Sequence, residues 1–174
     1  MSRLISRMLF VARAEDPSAA IKPVPIDTEQ LLQEVLAFYE AVAEEQGVNL
    51  FGEASGIIQG DPEMLRQALA NLISNAFEAT PKGGEIIVKV CETDGRAELE
   101  VKDNGRGSPS EDLPHLMDRF YRTADAFSRK SPGTGLGLAI VQSIARLHHG
   151  KIAITSNLGV GTVVRLSFDC HFVG

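Results

Sequence analysis

An α/β fold is predicted by three features of this 174-residue sequence. Helical apolar periodicity recurs in three separate stretches, 27–46, 61–79 and 134–149. Between and after them, apolar residues alternate with polar ones in two pairs of short runs, each pair joined by a turn sequence. The composition, 44% hydrophobic and 23% charged, is that of a globular chain long enough to bury a core.

The helices are justified by their ends. Asp27 is placed as an N-cap, with Gln30 as its capping-box partner and Ile26 and Leu31 as a hydrophobic staple. Leu31, Leu32, Val35, Leu36, Tyr39, Val42 and Ala43 then form one stripe, which predicts a helix to about Gln46, with Gly47 as its stop. Short strands are expected at 48–51 and 56–59. Asp61-Pro62 starts the second helix, a cap followed by a proline where no N–H is needed. Met64, Leu65, Ala68, Leu69, Leu72, Ile73, Ala76 and Phe77 give it a wide core face that Gly83-Gly84 ends.

Ile86, Val88 and Val90 alternate, Asp94-Gly95 signals a tight turn, and Ala97, Leu99 and Val101 alternate again, so 86–101 reads as an antiparallel hairpin with one wet face. The third helix carries Leu136, Ile140, Ile144 and Leu147 inward and ends at Gly150. Lys151–Thr155 and Thr162–Phe168 read as a second hairpin about 157–161. At the other end of the chain, Leu4, Ile5, Met8, Leu9 and Ala12 share one face with no cap before them, which reads as the end of a longer helix, followed by an Ala- and Pro-rich linker.

Composition excludes several functions. A net charge of -6 argues against a nucleic-acid partner held by phosphate contacts. Cys91 and Cys170 make neither a disulfide framework nor a metal-ligand pair. No signal peptide or bilayer-length apolar run is present, so no direct membrane contact by this chain is expected.

Chemistry concentrates at glycine. Gly133-Thr134-Gly135-Leu136-Gly137-Leu138 opens directly into a helix, an arrangement that brings backbone N–H groups and the positive helix end to a phosphate. It follows no strand and lacks Gly-Lys-Ser/Thr, which excludes the Rossmann and P-loop motifs. Upstream, the hairpin delivers Asp103 to a second glycine turn, Asp103-Asn104-Gly105-Arg106-Gly107. Asn71 and Asn75, four residues apart and so about 40° from each other around the helix, define a polar line separate from the core face, continued by Glu78. Asparagine is mildly unfavourable inside a helix, and two on one line point to a ligand side. The segment 108–132 is too long and proline-broken for a simple connection; it reads as a lid, with Arg119, Arg122, Arg129 and Lys130 as the local cations an acidic nucleotide binder needs.

Four of these pieces together resemble the sensor histidine kinases. Asn71-Leu72-Ile73-Ser74-Asn75-Ala76 is similar to that family's N box, Asp103–Gly107 to its G1 box, Arg119-Phe120-Tyr121-Arg122 to its F box and Gly133–Ile140 to its G2 box. The wording near Ala12-Arg13-Ala14 most resembles the heavy-metal resistance subgroup. The resemblance implies a two-layer α/β sandwich, the Bergerat ATP-binding fold, with a mixed sheet covered on one face by helices and an ATP lid. It implies residues 1–14 as the end of the second dimerisation helix, 15–26 as linker and 27–174 as the ATP-binding catalytic domain, the lid lying at about 108–132.

The same resemblance assigns roles. Asp103 accepts the adenine amino group, with Gly105 and Gly107 closing the backbone over the base. Asn75 offers an oxygen to Mg²⁺, Asn71 orients the phosphates, and Thr134, Gly135, Leu136 and Gly137 supply main-chain donors. Arg122 supplies charge at the γ-phosphate, and Phe120, Gly133 and Leu138 complete the nucleotide-contacting set. Asn71 stands where gyrase and Hsp90-type ATPases carry a water-activating glutamate, so the implied outcome is transfer to histidine with little hydrolysis.

The expected activity is therefore that of a protein histidine kinase, using ATP and Mg²⁺ in two-component signalling. The expected partners are the dimerisation domain with its phosphoacceptor histidine, absent here, and a response regulator, within a full-length homodimer. The expected place is the cytoplasmic portion of an inner-membrane protein. His115, His148, His149 and His171 lack the neighbours of a phosphorylated histidine and read as lid, helix-end and tail residues. The alternatives are a non-catalytic nucleotide-binding or dimerisation module, or an anti-sigma-factor serine kinase of the same fold. Three departures from the family pattern carry expectations: Arg106 and Ser108, in place of proline and isoleucine, predict a looser pocket wall; Glu78 is predicted to face solvent; and Ala79, in place of an aromatic, predicts weaker binding.

Overall fold

The structure, a computed structural model, describes Met8, Leu9, Ala12 and residues 21–122 and 134–170. Met8, Leu9 and Ala12 are helical and exposed. The remaining readings for 1–20, and those for 123–133 (including Arg129, Lys130 and Gly133) and His171, lie outside the described residues.

The chain opens with strand β1 (Val24–Asp27), which pairs antiparallel with β3 (Ile57–Gly60). The stretch expected to be linker up to Ile26 is thus in part a strand, whose partner lies some thirty residues on. Asp27 caps helix α1 (Thr28–Ala37) by accepting the Gln30 N–H at 3.0 Å. The capping box closes on one side only, because the Gln30 amide donates to Glu34 Oε1 at 2.9 Å instead. Ile26 and Leu31, the predicted staple, are both buried.

The helix expected to reach Gln46 breaks at Phe38-Tyr39 and resumes as α2 (Glu40–Gln46). The break places the Tyr39 ring 5.8 Å from that of Phe77, stacked, with its hydroxyl donating to the Ala70 carbonyl at 2.9 Å and 3.0 Å from Ser74 Oγ. Gly47 ends α2 in the left-handed conformation, φ 65°.

Helix α3 (Pro62–Ala79) begins where Asp61 accepts the Met64 N–H at 3.1 Å. Its core face is buried from Leu65 to Phe77, while Met64 is half-buried. It ends at Thr80-Pro81, before the glycine pair: the residue ahead of a proline is pushed out of the helical region, and Thr80 is extended.

One mixed five-stranded sheet forms the other layer, in the order β2 (Asn49–Ser55), β4 (Glu85–Thr93), β5 (Arg96–Asp103), β7 (Gly161–Asp169), β6 (Lys151–Asn157). β2 and β4 are parallel and the other neighbours antiparallel. Ile86, Val88, Val90, Ala97, Leu99 and Val101 all point to the helical layer and are buried, as their alternation predicts. The opposite face is ionic, with Lys89 2.8 Å from Glu53 and Arg165 bridging Glu98 and Glu100. Helix α4 (Gly137–Leu147) packs between α3 and the β6–β7 hairpin, with Ile140 and Ile144 fully buried. Its start is three residues later than Thr134, because Gly135 adopts φ 69°.

The α4 terminus is fixed by His148, which is buried against Phe168 with ring centroids 4.9 Å apart. Its Nδ1 donates to the Ile144 carbonyl at 2.9 Å, and Nε2 accepts the Asp61 N–H at 3.1 Å. Burial holds its pKa below the ordinary histidine value, so the neutral ring serves as both donor and acceptor. That ring ties the end of α4 to the start of α3.

Candidate nucleotide-binding site

Helix α3 supplies the two asparagines. Asn71 is buried and donates its Nδ2 to the Gln67 carbonyl at 2.8 Å, one turn back, which leaves its Oδ1 for the ligand side. Asn75, a turn further on, is exposed. The N-terminus of α4 arrives opposite them: a Cβ at Gly137 would lie 3.4 Å from Asn75 Oδ1 and 3.5 Å from Asn71 Oδ1. Glycine at this position keeps that gap open.

The first bond of α4 runs from the Ile140 N–H to the Leu136 carbonyl at 2.9 Å, and Leu136 provides no side-chain cap. The N–H groups of Gly137, Leu138 and Ala139 therefore have no acceptor within the helix and sit at its positive end. Thr134, Gly135 and Leu136 form the approach, Leu136 with its side chain buried. Uncommitted backbone donors facing two amide oxygens across a glycine gap are suited to an anion that carries a hydrated cation.

Asp103 stands at the end of β5, 7% exposed, so its carboxylate is committed to the interior. Burial raises its pKa, while the Gly105 and Thr162 N–H groups and the Arg106 guanidinium pull the other way. Gly105 N–H reaches Oδ1 at 2.9 Å. A buried carboxylate held in place by fixed backbone donors can accept a hydrogen bond from an amino group of a ligand.

The glycines of this turn act on protein backbone. A Cβ at Gly105 would lie 2.5 Å from the Ala79 carbonyl oxygen, and one at Gly107, where φ is 65°, would overlap the Asn157 carbonyl. Arg106 donates its N–H to the Ala79 carbonyl at 3.2 Å and its Nη2 to the Glu78 carbonyl, and its own carbonyl accepts the Gly159 N–H at 2.6 Å. The wall expected to be loosened by Arg106 is thus tied to α3 on one side and to the β6–β7 turn on the other. Ser108 is held too, its N–H donating to Ser156 Oγ at 2.8 Å. Glu78 is exposed, as expected.

The F-box stretch seals the other end. Phe120, at φ 64° and 53% exposed, donates its N–H to the Gly135 carbonyl at 2.9 Å. A Cβ at Gly135 would be 2.7 Å from Phe120 Cα, so this glycine is required for the two motifs to touch. Tyr121 donates its hydroxyl to Asp112 Oδ1 at 2.6 Å, and that bond raises its pKa. Arg122, half-buried, closes the described part of the segment.

Sequence reasoning did not single out Asn104, Ser156 or the bonds of Arg106. Asn104 Oδ1 accepts the Glu85 N–H at 2.7 Å, tying the end of β5 to the start of β4. Its only local signal was an Asn beside a glycine turn. A groove of about 1190 Å³ between α1 and the first half of α3 holds none of the motif residues. No cluster of three His, Cys, Asp or Glu side chains occurs among the described residues. A divalent cation here would accordingly take most of its oxygens from phosphate and water, which is the coordination Mg²⁺ favours.

Two asparagines thus stand opposite the N-terminus of α4, with a buried aspartate and glycine turns beside them. The chain belongs to the histidine kinase-, DNA gyrase B- and HSP90-like ATPase family, whose model matches residues 60–171, and its relatives place it with the ATP-binding catalytic portions of sensor histidine kinases. It is 40% identical over 158 residues to the sensor histidine kinase CusS of Escherichia coli (strain K12), covering 90% of this chain and 33% of that protein. It is 36% identical over 163 residues to the probable sensor kinase SilS of Salmonella typhimurium, covering 91% and 33%. Among solved structures, full-length ShkA in complex with AMPPNP superposes with a TM-score of 0.84 at 26% identity, over 97% of this chain and 36% of that one. The chain spans about a third of the length of these curated relatives.

Proposed function

We propose that this chain binds Mg-ATP and transfers the γ-phosphate to a histidine on a dimerisation domain that it does not contain, as a step in two-component signalling. The observation that carries this reading is the arrangement of Gly137 against Asn71 and Asn75, with Asp103 buried one helix-end away. In this reading Asp103 takes the adenine amino group, and the α4 N-terminus with Thr134, Gly135 and Gly137 receives the phosphates. Asn71 orients them, Asn75 gives Mg²⁺ one oxygen, Phe120 and Leu138 line the nucleotide, and Arg122 brings charge to the γ-phosphate. Bound Mg²⁺ would neutralise charge on the phosphates; the protein side chains and backbone bind and orient them. The whole protein is then a homodimeric inner-membrane sensor with this portion in the cytoplasm, passing phosphate to a response regulator.

The chemistry of residue 71 sharpens the test. A neutral amide cannot take a proton from water at neutral pH, so acceptor-independent hydrolysis should be slow. Incubated with γ-labelled ATP, the chain alone should neither label itself nor release phosphate rapidly. Adding the dimerisation domain of its full-length protein should give an acid-labile phosphohistidine on that domain. Rapid ATP turnover without acceptor, or no label on a supplied domain despite bound ATP, would defeat the proposal.

A further inference from the structure

The turn that carries Asp103 is tied to the end of α3 and to the β6–β7 turn through Arg106. Arg106 gives its backbone N–H to the Ala79 carbonyl and its guanidinium to the Glu78 carbonyl. Both acceptors lie at the C-terminal end of α3, where the last carbonyls of a helix have no partners within it and the helix dipole is negative. Helix α3 has no basic residue of its own in its last turn, so the cation that its end calls for is supplied by Arg106 from another element. On its other side, the Arg106 carbonyl accepts the Gly159 N–H of the β6–β7 turn. Gly105 and Gly107, pressed on the Ala79 and Asn157 carbonyls, allow both approaches. A guanidinium that caps a helix end while its main chain bonds that same end and the β6–β7 turn is a clamp.

We propose that Arg106 is a positioning residue for the nucleotide: by pinning the Asp103 turn between the end of α3 and the β6–β7 turn, it fixes the depth and orientation at which Asp103 meets the base. The inference rests on the ATP-binding reading above. It assigns Arg106 to the base end of the site alone, since the phosphate end is built by the α4 N-terminus and Asn75. Loss of the clamp should therefore weaken recognition of the base and leave recognition of the phosphates in place. A side chain that served only general stability would affect both ends alike.

The test is calorimetric titration of the whole chain and its R106A, R106Q and R106K variants with Mg-ATP and, separately, with Mg-tripolyphosphate. R106A should bind ATP about 10-fold more weakly, the order expected for losing one charge-assisted hydrogen bond from a preorganised site. Its tripolyphosphate affinity should stay within twofold of that of the unsubstituted chain. R106K, which keeps a cation at the helix end, should recover part of the loss; R106Q, which keeps a donor without charge, should recover less. Should R106A fail to fold, the ordering of R106K and R106Q decides. Equal ATP affinity in all four chains, or parallel loss of ATP and tripolyphosphate binding, would overturn the proposal. Failure of the unsubstituted chain to bind ATP at all would instead remove the site reading beneath it.

Discussion

Gly107→Ala tests the packing of the Asp103 turn with a magnitude that the structure supplies. Two separate costs fall on the substitution. With φ at 65°, an alanine would sit in the left-handed region, at roughly 1–2 kcal/mol. Its Cβ would overlap the Asn157 carbonyl oxygen and lie 2.6 Å from the carbonyl carbon. Both atoms are backbone, so the turn must move, at a further cost of about 1–3 kcal/mol for overpacking. Gly159→Ala isolates the first cost: φ is 77° there, but nothing lies within 4 Å of the new Cβ, and the N–H that Arg106 accepts is retained. The predicted difference between the two variants is therefore about 1–3 kcal/mol, or roughly 2–12 °C in Tm for a chain of this size. Thermal unfolding followed by circular dichroism, with each variant beside the unsubstituted chain, measures it. Equal melting temperatures for Gly107→Ala and Gly159→Ala would refute the argument that Gly107 is there for close approach.

Three further outcomes are expected. Asn75→Ala should bind ATP with little of the strengthening by Mg²⁺ shown by the unsubstituted chain, measured by titration with and without the cation; retention of the full effect would remove Asn75 from the metal site. For Asp103, burial raises the pKa, so ATP binding should fall with acidification at a pH above the ordinary aspartate range as the acceptor is protonated. Asp103→Asn should abolish that acid limb in the binding profile and weaken ATP by about 1.5–3 kcal/mol at neutral pH. For His148, the folded pKa lies below the unfolded value, so the unfolded chain binds more protons as pH falls through the ordinary histidine range. Stability should therefore decline on acidification there, and denaturant unfolding of His148→Gln should show a flatter dependence over the same window.

What the sequence made legible is what short-range rules decide. The caps at Asp27 and Asp61 and the glycine stop at Gly47 stand where those rules place them. So does the Asp94-Gly95 turn, whose φ values of 52° and 77° suit a two-residue hairpin. The buried alternation of β4 and β5 followed from period alone. What was not legible depends on distant partners. β1 exists because β3 offers it a pairing edge, and no local propensity announces that. The break at Phe38-Tyr39 occurs without glycine or proline, where the Tyr39 ring meets Phe77 and α3.

The site divides in the same way. Asn71, Asn75, Asp103 and the glycines were visible as residue types out of place in their elements; among the described residues, the fold sets Gly137 beside Asn71 and Asn75, and Gly105 beside Asp103 and the end of α3. Arg106 read as a departure that loosens a wall, yet the structure gives it three main-chain and side-chain bonds there. The carbonyls that receive it belong to a helix end 27 and 28 residues earlier in sequence, and their need for a cation appears only once the two segments meet.

The proposed function requires this end of the molecule to hold Mg-ATP by its adenine and its phosphates at once. Calorimetric titration of the chain with ATP and with GTP, each with and without Mg²⁺, tests it most directly. Saturable ATP binding that Mg²⁺ strengthens and GTP does not reproduce is the expected outcome. Absence of binding at millimolar ATP, or equal binding of GTP, would contradict it.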